Sequence, residues 1–328
     1  EVQARPTPTH RRVIGSIHLS RVQGPHETDM NDLSKAPLFA SLSDVIDDAV
    51  AFLQSDSLLL VTTADLTSVL ALGFLESALL DRGISYSRRI LSPNSHIPPD
   101  EVDLIPKQPG VNVLFIDPWN RVETSTENAF IIAPKPVEVE FRNSSTSRRG
   151  KVDAVLQCAV IASVLAANGS RTKRCRPYAG CGQWLMESLD TTIDPIHTIV
   201  RDFLRDEGTI QVLPLPEIPD ASVDMMPLAS PRRLKRLQKL WMEMDAPTRA
   251  QALSEFSLPL LSSEGLSTAR LEELIWKRMR IPNESTDLAT SLYRLTKAWP
   301  EQADAAVLHA GRLADELLKT GRLAASTD

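Results

Sequence analysis

Two aspartates directly follow apolar runs that predict buried strands in this chain. Asp65 lies in the polar turn after the run Leu58–Val61. Asp117 directly follows the run Val111–Ile116. In open α/β sheets, ligands bind in the crevice outside the carboxyl ends of the strands, and hard cations such as Mg²⁺ and Mn²⁺ prefer oxygen ligands. We therefore expect both side chains at one edge of a sheet, within reach of one hydrated ion.

A helix is predicted to follow the first of these strands. Val69, Leu72, Leu75 and Leu79 recur at three- and four-residue steps, the spacing of one helix face. Gly83 is placed to end this helix, because glycine adopts the left-handed backbone of a C-cap without penalty. Apolar runs and helical stretches continue to alternate up to about residue 215. This alternation predicts an α/β fold, a parallel sheet with helices on both faces.

The aspartates at strand ends also have a structural interpretation. A carboxylate in this position often caps the next helix or closes an Asx-turn. Asp65 precedes a predicted helix, and Asp117 precedes Pro118 in a turn-forming sequence. A third aspartate, Asp194, precedes Pro195, and the residue before a proline favours extended or turn geometry. Turn formation and ligand binding both remain open for these residues.

The chain is predicted to divide into four segments. Residues 1–38 form an N-terminal extension that is expected to be partly disordered, with Val13–Leu19 as a candidate edge strand. Residues 39–215 form the α/β domain. Residues 216–231 are rich in proline and predict a linker or an extended crossing segment. Residues 232–328 are predicted to be mainly helical.

Five helices are predicted in the last segment, because apolar residues recur there at three- and four-residue steps. Their expected bounds are Arg232–Met244, Pro247–Phe256, Ser267–Met279, Ser285–Trp299 and Ala303–Thr320. The core of this bundle is expected to contain Trp241, Trp276 and Trp299 with Leu240, Ile275 and Leu295. A surface groove for a partner helix is the alternative role for these side chains.

Three clusters of basic residues contrast with a net charge of −6. They are Arg148, Arg149 and Lys151; Arg171, Lys173, Arg174 and Arg176; and Arg232, Arg233, Lys235 and Arg236. Such clusters are commonly solvated surface. The second cluster is predicted to lie in a loop that contains Gly and Ser, which makes it the candidate for contact with a phosphate backbone. The negative net charge argues against a nucleic-acid platform over the whole surface.

Composition indicates an ordinary globular protein, with 42% hydrophobic and 24% charged residues. No apolar run reaches the roughly 20 residues of a membrane helix, and the N-terminus lacks the apolar core of a signal peptide. We therefore expect an intracellular location, cytoplasmic or nuclear (nucleoid), and no membrane partner. Cys158, Cys175 and Cys181 make no disulfide framework, and their spacing matches no common zinc ribbon.

The order of these elements resembles the DHH phosphoesterase family, in particular its RecJ-like members. The first strand and turn are similar to the family's first motif, with Asp65 as the retained acidic residue. The stretches that carry the resemblance follow in the family's order: Thr62–Ser68, Val111–Asp117, Ala129–Ala133, Phe141–Asn143, Asp153–Ala167 and Ser188–Asp194. The resemblance implies a parallel α/β domain that descends from metal-dependent phosphoesterases.

The resemblance also implies that the catalytic centre is dismantled. It places Asp65, Asp117 and Asp194 at ligand positions of a two-metal centre. Other ligand positions hold residues without a carboxylate or an imidazole, namely Thr63, Thr67, Ala133, Pro134 and Lys135. Two divalent ions about 3.5–4 Å apart repel each other and need several such groups at once. We therefore expect no cofactor, or as an alternative a single weakly bound Mg²⁺ or Mn²⁺.

Three functional hypotheses follow. The first is a catalytically inactive scaffold subunit, similar to the DHH-related helicase cofactor that joins MCM to GINS in eukaryotic replication. It implies partners such as GINS or MCM, with DNA bound only weakly or within a complex. The second is a divergent metal-dependent phosphodiesterase or exonuclease on single-stranded nucleic acid. The third is an unrelated α/β protein that binds a small ligand.

Overall fold

A computed structural model describes residues 33–98, 104–107, 109–122, 128–140, 147–186, 188–191, 195–262 and 265–323. Most of the predicted N-terminal extension, including Val13–Leu19, lies outside these residues. Phe141–Asn143 and Asp194 lie outside them as well. What the sequence suggests for these positions stays a prediction.

Four parallel strands form the central sheet, in the order β2-β1-β3-β4. They are β1 (Leu58–Thr63), β2 (Ser87–Leu91), β3 (Asn112–Ile116) and β4 (Ala129–Ile132). The register aligns Leu60 with Leu114, and Leu114 with Phe130. The apolar runs Leu58–Val61, Val111–Ile116 and Ala129–Ile132 predict three neighbouring strands in a sheet of about five. These three strands are neighbours, and the described residues supply four strands to the sheet.

Burial on both faces explains the continuous apolar runs of β1 and β3. Successive side chains of a strand point to opposite faces. Leu58, Leu60, Leu114 and Ile116 enter the main core, whereas Leu59, Val61, Val113 and Phe115 enter a second, smaller cluster. Leu104 and Val122, from the segments that flank β3, complete the smaller cluster.

Helices pack against the main core and confirm the α/β class. They include α1 (Ser43–Phe52), α2 (Leu66–Arg82) and α3 (Ala154–Leu165). The helix α2 follows β1 as predicted and ends at Gly83, whose φ of 68° is the left-handed conformation of a C-cap. Gly73 is needed in the middle of α2, because a Cβ there would lie 2.5 Å from Leu317 Cδ2.

A β-hairpin and short helices connect the sheet to the C-terminal region. The antiparallel hairpin consists of β5 (Lys135–Glu140) and β6 (Ser147–Val152). After α3 the chain forms α4 (Ser170–Cys175), α5 (Cys181–Leu185), α6 (Ser188–Thr191), α7 (Pro195–Asp206) and the strand β7 (Gln211–Leu213). The basic cluster predicted in a loop lies largely on α4, so that prediction of a loop is wrong.

The C-terminal region is mainly helical, as expected. Its helices are α8 (Pro231–Trp241), α9 (Ala246–Ser257), α10 (Thr268–Trp276), α11 (Leu288–Lys297) and α12 (Ala303–Thr320). Their bounds match the five predicted helices closely. Among the helices of the described chain, none has both the length and the apolar character that crossing a bilayer requires.

Two details of this region differ from the prediction. The helix expected to reach Met279 ends at Trp276, and Arg278–Arg280 form β8, which pairs antiparallel with β7. Pairing with a strand that is distant in sequence overrides the local helical spacing. Trp276 and Leu240 were expected in the bundle core but are 38% and 40% exposed.

The proline-rich segment 216–231 is the crossing segment rather than a solvated linker. Ile218, Val223 and Met226 are buried in it. Gln238 of α8 donates to the Ile218 carbonyl at 2.7 Å, and Trp241 Nε1 donates to Glu217 Oε1 at 2.9 Å. The core is therefore continuous across the predicted boundary near residue 215.

The last helix returns to the sheet. The helix α12 packs on α2 and β2. Arg88 of β2 joins the buried Glu76 of α2 at 3.2 Å to Asp315 of α12 at 2.7 Å. Burial raises the pKa of Glu76, against the charge of Arg88, which lowers it.

A fully buried ion pair fixes the C-terminal region to the crossing segment. Arg278 Nη1 contacts Asp287 Oδ1 at 2.9 Å, and both side chains are 0% exposed. Arg278 also donates to the carbonyls of Ser222 and Leu274. Asp287 in turn caps α11 by accepting from the Thr290 N–H. One guanidinium thus joins β8, α10, α11 and the crossing segment.

Removing the carboxylate of this pair should destabilise the fold strongly. We expect Asp287→Ala to lower the free energy of unfolding by about 3–5 kcal/mol, because Arg278 would remain buried without its counter-ion. Asp245→Ala is the matched control, since Asp245 caps α9 through the Thr248 N–H but is exposed. Urea denaturation measures both losses. Equal losses in the two variants would contradict this role of the buried pair.

Candidate functional site

The carboxyl ends of β1 and β3 form the candidate site. The strand β2 lies on one side of β1, and β3 lies on the other. The connection from β1 leads to one side of β1, and the connection from β2 leads to the other side, so the strand order switches between β1 and β3. In open α/β sheets, ligands bind in the crevice at such a switch point. Thr62 Oγ1 donates to the Ile116 carbonyl at 3.4 Å across this edge.

Asp65 lies at this edge, but its side chain does not cap the helix that follows. It occupies the N-cap position of α2 with an extended backbone, but its carboxylate accepts no capping hydrogen bond from the first turn of α2. Instead, Asp65 Oδ2 accepts the Asn94 N–H at 2.9 Å. The carboxylate thus ties the turn after β1 to the segment after β2.

Asp117 closes a turn, which is one of the two roles that the sequence leaves open for it. Its side chain is buried, and Asp117 Oδ2 accepts the N–H groups of Arg121 at 2.6 Å and Val122 at 2.9 Å. Burial raises the pKa of Asp117, although these hydrogen bonds and the charge of Arg121 act in the opposite direction. The carboxylate accepts the backbone hydrogen bonds of its own loop.

Arg121 and Asn94 connect the two aspartates. Arg121 Nη1 donates to Asn94 Oδ1 at 3.3 Å and to the Ile97 carbonyl at 3.4 Å, and Nη2 donates to the Pro98 carbonyl. Asn94 donates its backbone N–H to Asp65. A continuous set of hydrogen bonds therefore runs from Asp65 to Asp117, with a guanidinium cation within it.

Sequence reasoning missed both connecting residues. Asn94 follows β2 by three positions, and Arg121 follows β3 by five. Their positions after the ends of β2 and β3, the two strands that flank β1, were the available signal. Asp65 and Asp117 both belong to this network at the carboxyl edge of the sheet. Their expected position within reach of one hydrated ion stays a prediction.

The end of β4 offers no metal ligand. Ala133 is buried, and its carbonyl accepts the side-chain amide of Gln157 at 2.7 Å. Lys135 already belongs to the hairpin, where it pairs with Val152. Within the described residues, no group of three or more His, Cys, Asp or Glu side chains could hold a metal ion. Asp194 lies outside those residues.

The basic cluster proposed for nucleic acid is engaged largely within the protein. Arg171 Nη1 contacts Asp81 at 3.2 Å. Arg174 donates to the carbonyls of Leu318 and Lys319 at the end of α12. Arg176 is 9% exposed and contacts Glu207 at 3.1 Å, whereas Lys173 is exposed. These contacts give the cluster a structural role, and its contact with nucleic acid stays a prediction.

Asp81 is the residue that orders the start of α4. It accepts the backbone N–H of Thr172 at 2.9 Å and that of Arg171 at 3.3 Å. Burial would raise the pKa of Asp81, but these hydrogen bonds outweigh it and lower the pKa. A Cβ on Gly169 would meet Asp81 Oδ2 at 2.1 Å, so this close approach requires glycine.

The three cysteines are buried and free. Burial raises the pKa of each thiol. Cys175 Sγ lies 3.2 Å from Ser77 Oγ. Cys158 is a core residue of α3, as expected from its apolar neighbours.

Comparison with known proteins identifies no family. No model of a known protein family matches the sequence. No curated protein is significantly similar to it. The structure shows an α/β fold with a four-stranded parallel sheet. The resemblance to the DHH family remains a hypothesis that depends on the order of the motifs.

Replacing Asp117 separates its structural role from a role as a metal ligand. We expect Asp117→Ala to lower the free energy of unfolding by about 1–3 kcal/mol, because buried N–H groups of Arg121 and Val122 would lose their acceptor. Asp117→Asn is the matched control, since its amide oxygen can still accept. Chemical denaturation without divalent ions gives both values. An alanine variant as stable as the parent would contradict the structural role.

Proposed function

We propose that the protein is a catalytically inactive subunit that contributes a binding surface to a protein assembly. The observation that carries the proposal is the state of the switch-point crevice, where the carboxylates accept hydrogen bonds from the chain's own loops. We infer that Asp65 and Asp117 fix the conformation of these loops and do not serve as metal ligands.

The charges around the crevice support the loss of two-metal chemistry. Asp65 and Asp117 follow the ends of β1 and β3, and β4 is followed by Ala133, which has no side-chain ligand and whose carbonyl accepts from Gln157. A pair of divalent ions needs a larger set of anionic and imidazole ligands. The guanidinium of Arg121 adds a positive charge that would repel any cation placed between Asp65 and Asp117.

The exposed apolar side chains support a binding role for the C-terminal region. Five large hydrophobic residues of the described chain are more than half exposed, and they lie between residues 228 and 308: Leu228, Met242, Leu258, Leu261 and Leu308. Single exposed apolar residues are normal, but Met and aromatic residues are enriched at interface cores. Trp276 is partly exposed in the same region.

The DHH resemblance suggests the kind of assembly. A degenerate RecJ-like subunit would belong with replication proteins such as GINS or MCM, and DNA would be bound weakly or only within the complex. The net charge of −6 supports weak binding to DNA by the isolated chain.

A divergent phosphodiesterase is the second candidate. The observation that favours it is that Asp65 and Asp117 belong to one network at the switch point. In that case a single Mn²⁺ or Mg²⁺ would have to bind against the positive charge of the nearby Arg121 guanidinium.

A hydrolysis assay separates the two candidates. With Mn²⁺ or Mg²⁺, the parent protein is expected to cleave single-stranded DNA, short RNA and cyclic dinucleotides no faster than Asp65→Ala, because the ligands for catalysis are missing. The two proteins should be purified in parallel, so that contaminating nucleases contribute equally. Metal-dependent cleavage that Asp65→Ala abolishes would refute the inactive assignment.

Purification of the native complex tests the role as a subunit. At moderate salt the protein is expected to elute with a stoichiometric protein companion, while its affinity for DNA alone falls steeply with salt. Size-exclusion chromatography with mass measurement gives the composition. A free monomer that binds DNA tightly would contradict the proposal.

A further inference from the structure

A groove lies between the segment after β7 and the helix α8. Its volume is about 710 Å³. Leu213 and the exposed Pro219 contribute apolar surface on one side, and Met242 contributes it at the end of α8. Met242 is 80% exposed, the highest value among the large hydrophobic residues that the structure describes. The groove therefore offers apolar contacts that its own chain leaves uncovered.

Cations line the same groove. Lys235, Lys239, Arg249 and Arg280 contribute positive charge, and Glu217 contributes the negative charge. Glu217 already accepts from Trp241 Nε1 and lies 3.9 Å from Arg249. Lys235 and Lys239 are exposed and stand one helical turn apart, and neither pairs with an acid in the described part of the chain. Like charges at this spacing repel each other, so an anionic partner would relieve the repulsion.

The shape and chemistry of the lining favour a peptide over a nucleic acid. Proteins that bind single-stranded nucleic acid present aromatic side chains on which the bases stack. Trp241 is the aromatic residue of this groove, but it is 3% exposed and Arg249 lies 5.2 Å from its ring centroid. Leu213, Pro219 and Met242 suit aliphatic side chains instead.

We propose that this groove binds an acidic segment of a partner protein, with apolar side chains between its carboxylates. The cations of α8 would pair with the carboxylates, while Met242 and Pro219 would contact the apolar side chains. The proposal rests on the proposed function, because it supplies the chemistry of a partner for a binding subunit. It also gives a role to Lys235 of the third basic cluster.

Charge reversal on α8 tests the groove with a matched control. The test variant is Lys235→Glu with Lys239→Glu. The control is Arg232→Glu with Arg236→Glu, which makes the same change of charge at exposed positions of the same helix, one turn apart and outside the groove. Arg233 is unsuitable as a control, because it contacts the Glu255 carbonyl and the Phe256 ring.

The probes are peptides selected from a displayed library of random sequences on the full-length chain. Selected sequences should be enriched in Asp and Glu next to Leu, Ile or Phe. Fluorescence anisotropy of the best labelled peptide should show at least about tenfold weaker binding to the test variant and less than about threefold weaker binding to the control. The reason is that charges in direct contact with the peptide contribute more to its affinity than charges outside the groove. A labelled oligo-dT is measured in parallel.

Three outcomes would overturn the proposal. They are selection of no peptides or of peptides without acidic residues, equal weakening by the two variants, and oligo-dT binding that exceeds peptide binding and is lost in the test variant. Failure of the proposed function is recognised separately, by metal-dependent cleavage that requires Asp65. Circular dichroism of both variants confirms that each has folded before binding is measured.

Discussion

The carboxyl edge of the sheet depends on two carboxylates that accept backbone N–H groups. Asp65 binds the N–H of Asn94, and Asp117 binds those of Arg121 and Val122. Buried backbone donors must find acceptors, since an unpaired one costs roughly 1–3 kcal/mol. The same hydrogen bonds that order these loops also occupy the groups that would face a ligand. We propose that these hydrogen bonds both order this edge and explain the loss of catalysis that we infer.

The helical region reinforces the same edge. Trp299, which follows α11, donates Nε1 to the Ala64 carbonyl in the turn after β1 at 2.9 Å, and its ring packs edge-on against His309. Farther along the sheet, Arg88 joins Glu76 to Asp315 of α12. The C-terminal helices therefore belong to the packing of the α/β domain, while α8 and its groove remain open to a partner.

Patterns that are local in sequence allowed much of the fold to be predicted. The strands β1, β3 and β4 follow from continuous apolar runs, and the end of α2 follows from the backbone freedom of Gly83. Contacts distant in sequence explain what was missed. The strand β8 exists because it pairs with β7, and Arg121 reaches Asn94 across 27 positions. The start of α4 depends on Asp81, 90 positions before Arg171. No local spacing encodes such pairs.

Crystals soaked in Mn²⁺ test the central claim most directly, because anomalous scattering locates the metal without reference to activity. Our account predicts no anomalous peak between Asp65 and Asp117, with the Arg121 guanidinium still bound to Asn94. A peak coordinated directly by either carboxylate, with Arg121 displaced, would contradict it.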